Sequence, residues 1–395
     1  MRVANAEDFG FSPTRLARIG TVMQRYVDED KLAGMVTLVA RRGTPVHFEK
    51  FGLQDIAAGV PMALDTIFRI YSMTKPITCV ALMMLYEQGL FHLNDPVTRF
   101  LPEFQQVKVL GNGGALEETE RAITVHDLLT HMAGLSYGDY PNTGAPIDKL
   151  YDEADLFDTQ ITLQEMVRRI AGLSLAHQPG QGWRYSVATD VVGRLVEVLS
   201  GASLAHFMER EIFGPLGMED TAYSIAPEKA GRFATLYGQT DKGNLDVLDS
   251  VVGGTYTGVK LYAGGHGLVS TASDYFRFAQ LLLNGGELDG VRLLGRKTVE
   301  LMTINHVPAA LLPIRMEEPW PGFGYGLGFG VLMDLAQSGI MGSVGNFRWS
   351  GWANTHFWVD PLEQLIGILM VQYIPGGTYP VTDDFKTLVY QALVD

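Results

Sequence analysis

The chain reads as an α/β protein: an antiparallel sheet built from both chain ends and flanked by helices, with a mostly helical lobe inserted between them. Three observations predict this. β-type runs stand near the N-terminus and return after residue 320, so one sheet drawing on both ends is the economical arrangement. From about residue 91 the pattern between them is mostly helical, with capping signals at Thr124 and Thr162. And 395 residues with 47% apolar content can bury a large core and divide into two lobes. The expected division is a discontinuous α/β domain, 1–90 with 285–395, and an inserted helical domain, 91–284.

Element by element, Ser12–Asp30 predicts a helix, with Pro13 just inside its start and Leu16, Ile19, Val22, Met23 and Tyr26 at helical spacing. Met35–Ala40 and Val46–Phe51 predict two strands around the hairpin signal Arg41-Arg42-Gly43-Thr44. An apolar helical run follows from Pro76 to Gly89. Thr124-Val-His-Asp127 is a capping box opening Val125–Met132, which Gly134 is expected to close; Thr162-Leu-Gln-Glu165 opens a helix to Ile170. Further helices are expected at Thr189–Leu199, Leu204–Phe213 and Ser273–Leu283. Beyond residue 320 come strands at Gly324–Leu332, Asn346–Ser350, Thr355–Asp360 and Leu365–Gln372, with Pro361–Gln364 turning between the last two. An amphipathic helix, Thr382–Leu393, ends the chain.

A net charge of −14 argues against a basic face for nucleic acid or anionic membrane. The lone Cys79 lies in an apolar helix and reads as a core residue, so no intramolecular disulfide forms. The N-terminus lacks an apolar signal core, and no run approaches the roughly 18 residues of a membrane span. A cytoplasmic protein is the expectation, with a monomer and a homo-oligomer both open.

Chemistry concentrates at Ser72-Met-Thr-Lys75, heading the Pro76–Gly89 run. Residues at i and i+3 share a helix face, so the hydroxyl and the amine can meet. A serine at a helix N-terminus also sits beside unpaired backbone N–H groups and the positive end of the helix dipole. The bland alternative is an N-cap serine and a solvated lysine. A second candidate is Tyr185, after the turn Pro179-Gly180-Gln-Gly182; its phenol can relay protons if an amine holds it near its anionic form. Tyr223-Ser224 is a similar dipeptide without the preceding turn and ranks below it. The third candidate is Trp349-Ser350-Gly351-Trp352 at a strand end, where glycine allows close backbone approach and the Trp352 N–H can face a pocket.

Several patterns are decoys. Gly134-Leu-Ser136-Tyr-Gly138 matches the G-x-S-x-G pentapeptide, but a helix precedes it and the loop 139–144 follows it, where a nucleophile elbow needs a strand and then a helix. His126 and His131 lack metal-site spacing, no Cys/His cluster exists, and no metal or organic cofactor is expected. His356 sits in an aromatic strand and reads as packed. Gly264-Gly-His-Gly267 lacks the lysine and spacing of a phosphate loop and reads as a tight turn near the cleft.

Taken in order, Phe68-Arg-Ile-Tyr-Ser72-Met-Thr-Lys75, Leu128–Leu135, Pro179–Ser186, Gly264–Asp274 and Trp349-Ser-Gly351 through Phe357-Trp-Val-Asp360-Pro resemble the serine β-lactamase/penicillin-binding-protein superfamily over nearly the whole chain. Within it the chain is similar to the class C branch and most of all to the family VIII carboxylesterases. The resemblance implies a β-lactamase/DD-peptidase-like fold with the active site between its lobes. It makes Ser72 the acylated nucleophile, Lys75 and Tyr185 the general base system, and Trp349-Ser350-Gly351 the substrate-binding strand. The backbone N–H groups of Ser72 and Trp352 would form the oxyanion hole.

Two departures carry the functional expectation. Val187 stands where β-lactamases usually have the asparagine of Tyr-x-Asn, and Trp349 stands where a lysine usually starts the third motif. Charged hydrogen bonds are worth roughly 1.5–3 kcal/mol each, so their loss weakens recognition of β-lactams and D-Ala-D-Ala peptides. Trp349 and Trp352 instead suit an uncharged acyl or alcohol group. A carboxylesterase acting on small, short-chain esters through an acyl-enzyme is therefore expected. The alternatives are a β-lactamase or D-amino-peptidase, an acyltransferase or amide hydrolase, and a non-catalytic acyl sensor.

Overall fold

Arg42 and Gly43, with φ of 50° and 77°, make a two-residue turn of the kind that matches strand twist. It joins β1 (Gly34–Arg41) to β2 (Thr44–Asp55) in the computed structural model. The structure describes residues 1–111, 113–138, 144–239, 245–250, 254, 256–316 and 318–395. Most of the loop expected at 139–144 therefore lies outside the described residues. The remaining strands of the main sheet are β3 (Val60–Pro61), β4 (Phe323–Tyr325), β5 (Gly330–Leu332), β6 (Phe347–Ser350), β7 (His356–Asp360) and β8 (Leu365–Val371). Their order is β4-β5-β6-β7-β8-β1-β2-β3, and every pairing is antiparallel. The sheet expected from both chain ends is what forms.

Every residue of β1 and β8 is buried, because both faces of the sheet centre are covered. Alternate residues of β1 divide between two cores. Val36, Leu38 and Ala40 join the large core shared with α2 (Thr74–Glu87), whereas Met35 and Val39 join a smaller one with α1 (Arg18–Asp28) and the C-terminal helix. Between the chain ends run α3 (Val125–Leu129), α4 (Leu163–Ala171), α5 (Ala188–Ser200) and α6 (Ala272–Leu283), and α7 (Val381–Tyr390) closes the chain. Helix α6 falls inside the segment expected as the insertion, yet it packs on β1, β7 and β8. Helix α2, within the N-terminal segment, packs most heavily on α5.

Several boundaries differ from the sequence reading for physical reasons. The first helix breaks at Ala17 into Pro13–Leu16 and α1. Gly324–Leu332, expected as one strand, is a hairpin of β4 and β5. Gly328 turns it with φ +98°, and a Cβ there would lie 2.6 Å from Cys79 Sγ. Helix α3 stops at Leu129, capped by Thr130, because His131 takes φ +58°; Gly134 is not its C-cap but lies with φ +83° against the His177 carbonyl. Leu204–Phe213 is an α-turn continued by a π-type turn from Glu209. The Thr124–Asp127 capping box is reciprocal; at Thr162 only the Glu165 N–H is capped, since the Glu165 carboxylate is held by Arg168 and Arg169.

Gly328→Ala combines left-handed strain with a clash against helix α2. It is expected to lower stability by about 1–3 kcal/mol, read as a lower guanidinium midpoint at unchanged m-value.

Candidate active site

Ser72 does not lie in α2 itself but in the 3-10 turn Tyr71–Met73 that feeds it. Tyr71, just before it, is left-handed at φ +42°, a conformation that a non-glycine residue keeps only where its surroundings hold it. Those surroundings are explicit. The Ile70 N–H donates to the Leu268 carbonyl, the Tyr275 hydroxyl to the Met73 carbonyl and the Thr78 hydroxyl to the Gly264 carbonyl. Pro76 falls in the first turn of α2, where its missing N–H leaves no intrahelical bond unmade.

Lys75 is fully buried one turn along. Its Nζ lies 3.1 Å from Ser72 Oγ, 2.7 Å from Tyr137 Oη and 2.7 Å from the Gly265 carbonyl oxygen. Burial strips the ammonium of water and brings its pKa down to about 7, against a smaller upward pull from the Asp190 carboxylate. Asp190, on α5, accepts the Gly265 N–H at 2.8 Å and so holds the loop whose carbonyl meets the amine. That loop can come this close because position 264 is glycine: a Cβ there would lie 2.3 Å from the Thr189 carbonyl oxygen.

Tyr137 is the contact of Lys75 that the sequence did not single out. The pentapeptide around Ser136 draws attention to its serine, while the neighbouring phenol is what reaches the lysine. Tyr185 is also brought to the site: its ring stands 4.7 Å from Lys75 Nζ, 5.2 Å from the Tyr137 ring and 5.5 Å from Trp349. Ser136 is buried elsewhere, donating to Asp148 and accepting from Arg184, and lines neither cavity beside Ser72. Tyr223 is buried too, its hydroxyl given to the Ala263 carbonyl. His126 pairs with His306, and His131 lies under Tyr185, its Nδ1 3.2 Å from Ser186 Oγ. Among the described residues no group of three or more His, Cys, Asp or Glu could hold a metal ion.

Strand β6 forms the opposite wall. Gly351 passes so near the nucleophile's turn that a Cβ would lie 2.4 Å from the Ile70 carbonyl oxygen. Two cavities open at Ser72, and Trp352 lines both. The smaller, about 330 Å³, is walled by Tyr71, Tyr137, Phe157 and His266. The larger, about 750 Å³, runs past Tyr185 and Trp349-Ser350-Gly351 to Arg348 and His356. Two parts of the aromatic-wall expectation change. Trp349 is almost wholly buried, packed on Tyr185, Tyr325 and Trp320, so Trp352 supplies most of the exposed ring surface. And the cleft holds a cation after all, Arg348, one residue before the tryptophan that replaces the family's lysine.

The Beta-lactamase family profile matches residues 19–391. Esterase EstB of Burkholderia gladioli is 32% identical over 95% of this chain and 95% of its own. The chain belongs to the β-lactamase family, on its family VIII carboxylesterase branch. Protein Rv1367c of Mycobacterium tuberculosis is 37% identical over 88% of each chain. The solved structure of EstCE1, described as a hydrolase with promiscuous acyltransferase activity, superposes with a TM-score of 0.82 at 25% identity, covering 95% of this chain and 99% of that one.

Labelling of Ser72 by a fluorophosphonate should rise with pH through a single step near 7, as Lys75 loses its proton. Asp190→Asn removes the negative charge that favours the ammonium, so its step should move to lower pH. A step that stays in place or moves upward contradicts this account of the amine.

Proposed function

We propose that this enzyme hydrolyses carboxylic esters through an acyl-enzyme on Ser72. The observation that carries the reading is the triple coordination of Lys75. The Gly265 carbonyl can only accept, so one N–H of the amine is committed to it. A neutral amine then has a second N–H for the Tyr137 oxygen and one lone pair, which faces Ser72 Oγ 3.1 Å away. With a pKa of about 7 the neutral form is well populated at physiological pH.

In the proposed cycle Ser72 Oγ attacks the ester carbonyl while its proton passes to Lys75. The resulting ammonium can donate to all three of its neighbours. The backbone N–H groups of Ser72 and Trp352 hold the tetrahedral oxyanion, a preorganised stabilisation of charge as it develops. The carbon–oxygen bond to the alcohol then breaks, and that oxygen takes a proton from Tyr185, which lines the larger cavity beside the nucleophile. Lys75 and the two phenols re-equilibrate, water attacks the acyl-enzyme with their help, and the acid leaves. Proton inventory is restored without a metal or organic cofactor. The cytoplasm remains the expected compartment.

A second reading, acyl transfer, rests on the two cavities meeting at Ser72: an alcohol or amine seated in the larger one can take the acyl group before water does. The similarity to the esterase EstB supports hydrolysis, and the similarity to EstCE1, with its promiscuous acyltransferase activity, supports both outcomes.

Ser72→Ala should abolish p-nitrophenyl butyrate turnover, while Ser136→Ala keeps most of it; the reverse pattern gives the chemistry to the pentapeptide. Tyr185→Phe should lower kcat by ~100-fold or more with a smaller effect on KM. Nitrocefin turnover faster than ester turnover would place the activity with the β-lactamases, and ester product formed on added 1-butanol would measure transfer.

A further inference from the structure

Arg348 differs from other enclosed arginines of this chain. The protein carries a net charge of −14, and Arg41, Arg69, Arg184 and Arg232 each hold a carboxylate. Arg348 holds none within 4 Å among the described residues. Its guanidinium instead lies against two rings, 5.4 Å from Trp320 and 5.3 Å from Phe323, and it lines the 750 Å³ cavity that begins at Ser72. Aromatic contacts fix the plane of a guanidinium while leaving its N–H edges open, which suits a bidentate carboxylate.

A second titratable side chain lines the same space. His356 lines this cavity, is 1% exposed, and its Nε2 has no hydrogen-bond partner. Burial first, then the charges of Arg348 and Lys386, keep its imidazole neutral. It therefore adds no second cation to this cavity. Among the described residues the acidic groups lining this cavity, Asp383 and Glu318, are exposed, and neither forms an ion pair with the guanidinium. Burial lowers the pKa of the Arg348 guanidinium to about 10, against a smaller upward pull from Asp383, so it stays charged at neutral pH.

The two cavities divide the substrate. Tyr185, the proposed donor to the departing oxygen, lines the larger one, whereas the smaller is lined by Tyr71, Tyr137, Phe157 and Trp352. The small aromatic chamber suits a short acyl chain, and the larger cavity takes the alcohol half.

We propose that Arg348 reads a carboxylate on the alcohol half of the substrate, so that the preferred esters are short-chain acyl esters of hydroxy acids. The inference rests on the acyl-enzyme reading above and adds its substrate class: attack on the acyl carbon releases a hydroxy acid first and the short-chain acid second.

The test compares kcat/KM for 3-acetoxybenzoic acid with that for 3-acetoxybenzamide, which share the acyl group and the shape of the leaving phenol. The wild-type enzyme should favour the acid by roughly ten- to hundredfold at low salt, a preference that shrinks in high salt. Arg348→Met should bring the ratio to about one, and Arg348→Lys should retain part of it. Mono-p-nitrophenyl glutarate, with its carboxylate on the acyl half, should show no preference that depends on Arg348. A wild-type ratio near one, or equal losses on both acetyl esters in Arg348→Met, overturns the proposal. An Arg348-dependent preference for the glutarate overturns the assignment of the two halves. The hydrolase reading fails separately, by Ser72→Ala turning over these esters as fast as the wild-type enzyme.

Discussion

Burial of one amine organises this active site. A charged ammonium without water is costly, so Lys75 can be completely enclosed only if every one of its hydrogen-bonding directions is met and its charge is partly given up. Three segments far apart in sequence meet those directions: the nucleophile's own turn, the phenol of Tyr137 and the carbonyl of Gly265. The carbonyl in turn depends on Asp190, which holds the Gly265 N–H, and on two close-packed glycines. A Cβ on Gly193 would lie 3.2 Å from the Gly264 Cα, so the loop and helix α5 touch through bare backbone. The same burial that locks these pieces together brings the amine's pKa near neutrality. Packing and proton transfer are one constraint here.

Aromatic rings complete the enclosure. Tyr185 lies between Tyr137, His131 and Trp349, and Trp349 is itself held by Tyr325 and Trp320. These rings exclude water around Lys75 on the side not occupied by protein carbonyls, which strengthens each electrostatic contact inside. Trp349 packs directly on the Tyr185 phenol ring. Trp352 differs: it is 44% exposed, meets the Tyr71 ring edge-on, and divides the space into which substrate comes.

Much of this was legible in the sequence where local signals agree with the fold. The hairpin at Arg42-Gly43, the capped helix at Thr124 and the spacing of Ser72 and Lys75 are short-range features that tertiary packing leaves in place. What escaped depends on long-range contact. The run 324–332 has the composition of one strand, but Gly328 must turn where Cys79 of α2 leaves no room, and that neighbour lies far earlier in the chain. Tyr137 was hidden differently. It adjoins a serine whose motif attracts notice, and nothing local tells a reader that the next side chain crosses to Lys75. The Gly264–Gly267 turn was correctly placed near the cleft, but its carbonyl has no sequence signature, since any residue carries one.

Arg348 shows why a motif comparison by position misjudged the charge of the cleft. Successive residues of a strand leave it on opposite sides, so exchanging lysine for Trp349 removes a cation from one side without saying anything about the residue before it. Strand β5 pairs with β6 through Phe347 and Arg348 only, so the last two residues of β6, Trp349 and Ser350, run on beyond that pairing. Trp320 packs there against both Trp349 and Arg348, and the larger cavity follows the strand end from one side to the other. The loss of the lysine and the presence of the arginine are thus not equivalent substitutions at one site. They place the positive charge on different sides of the strand.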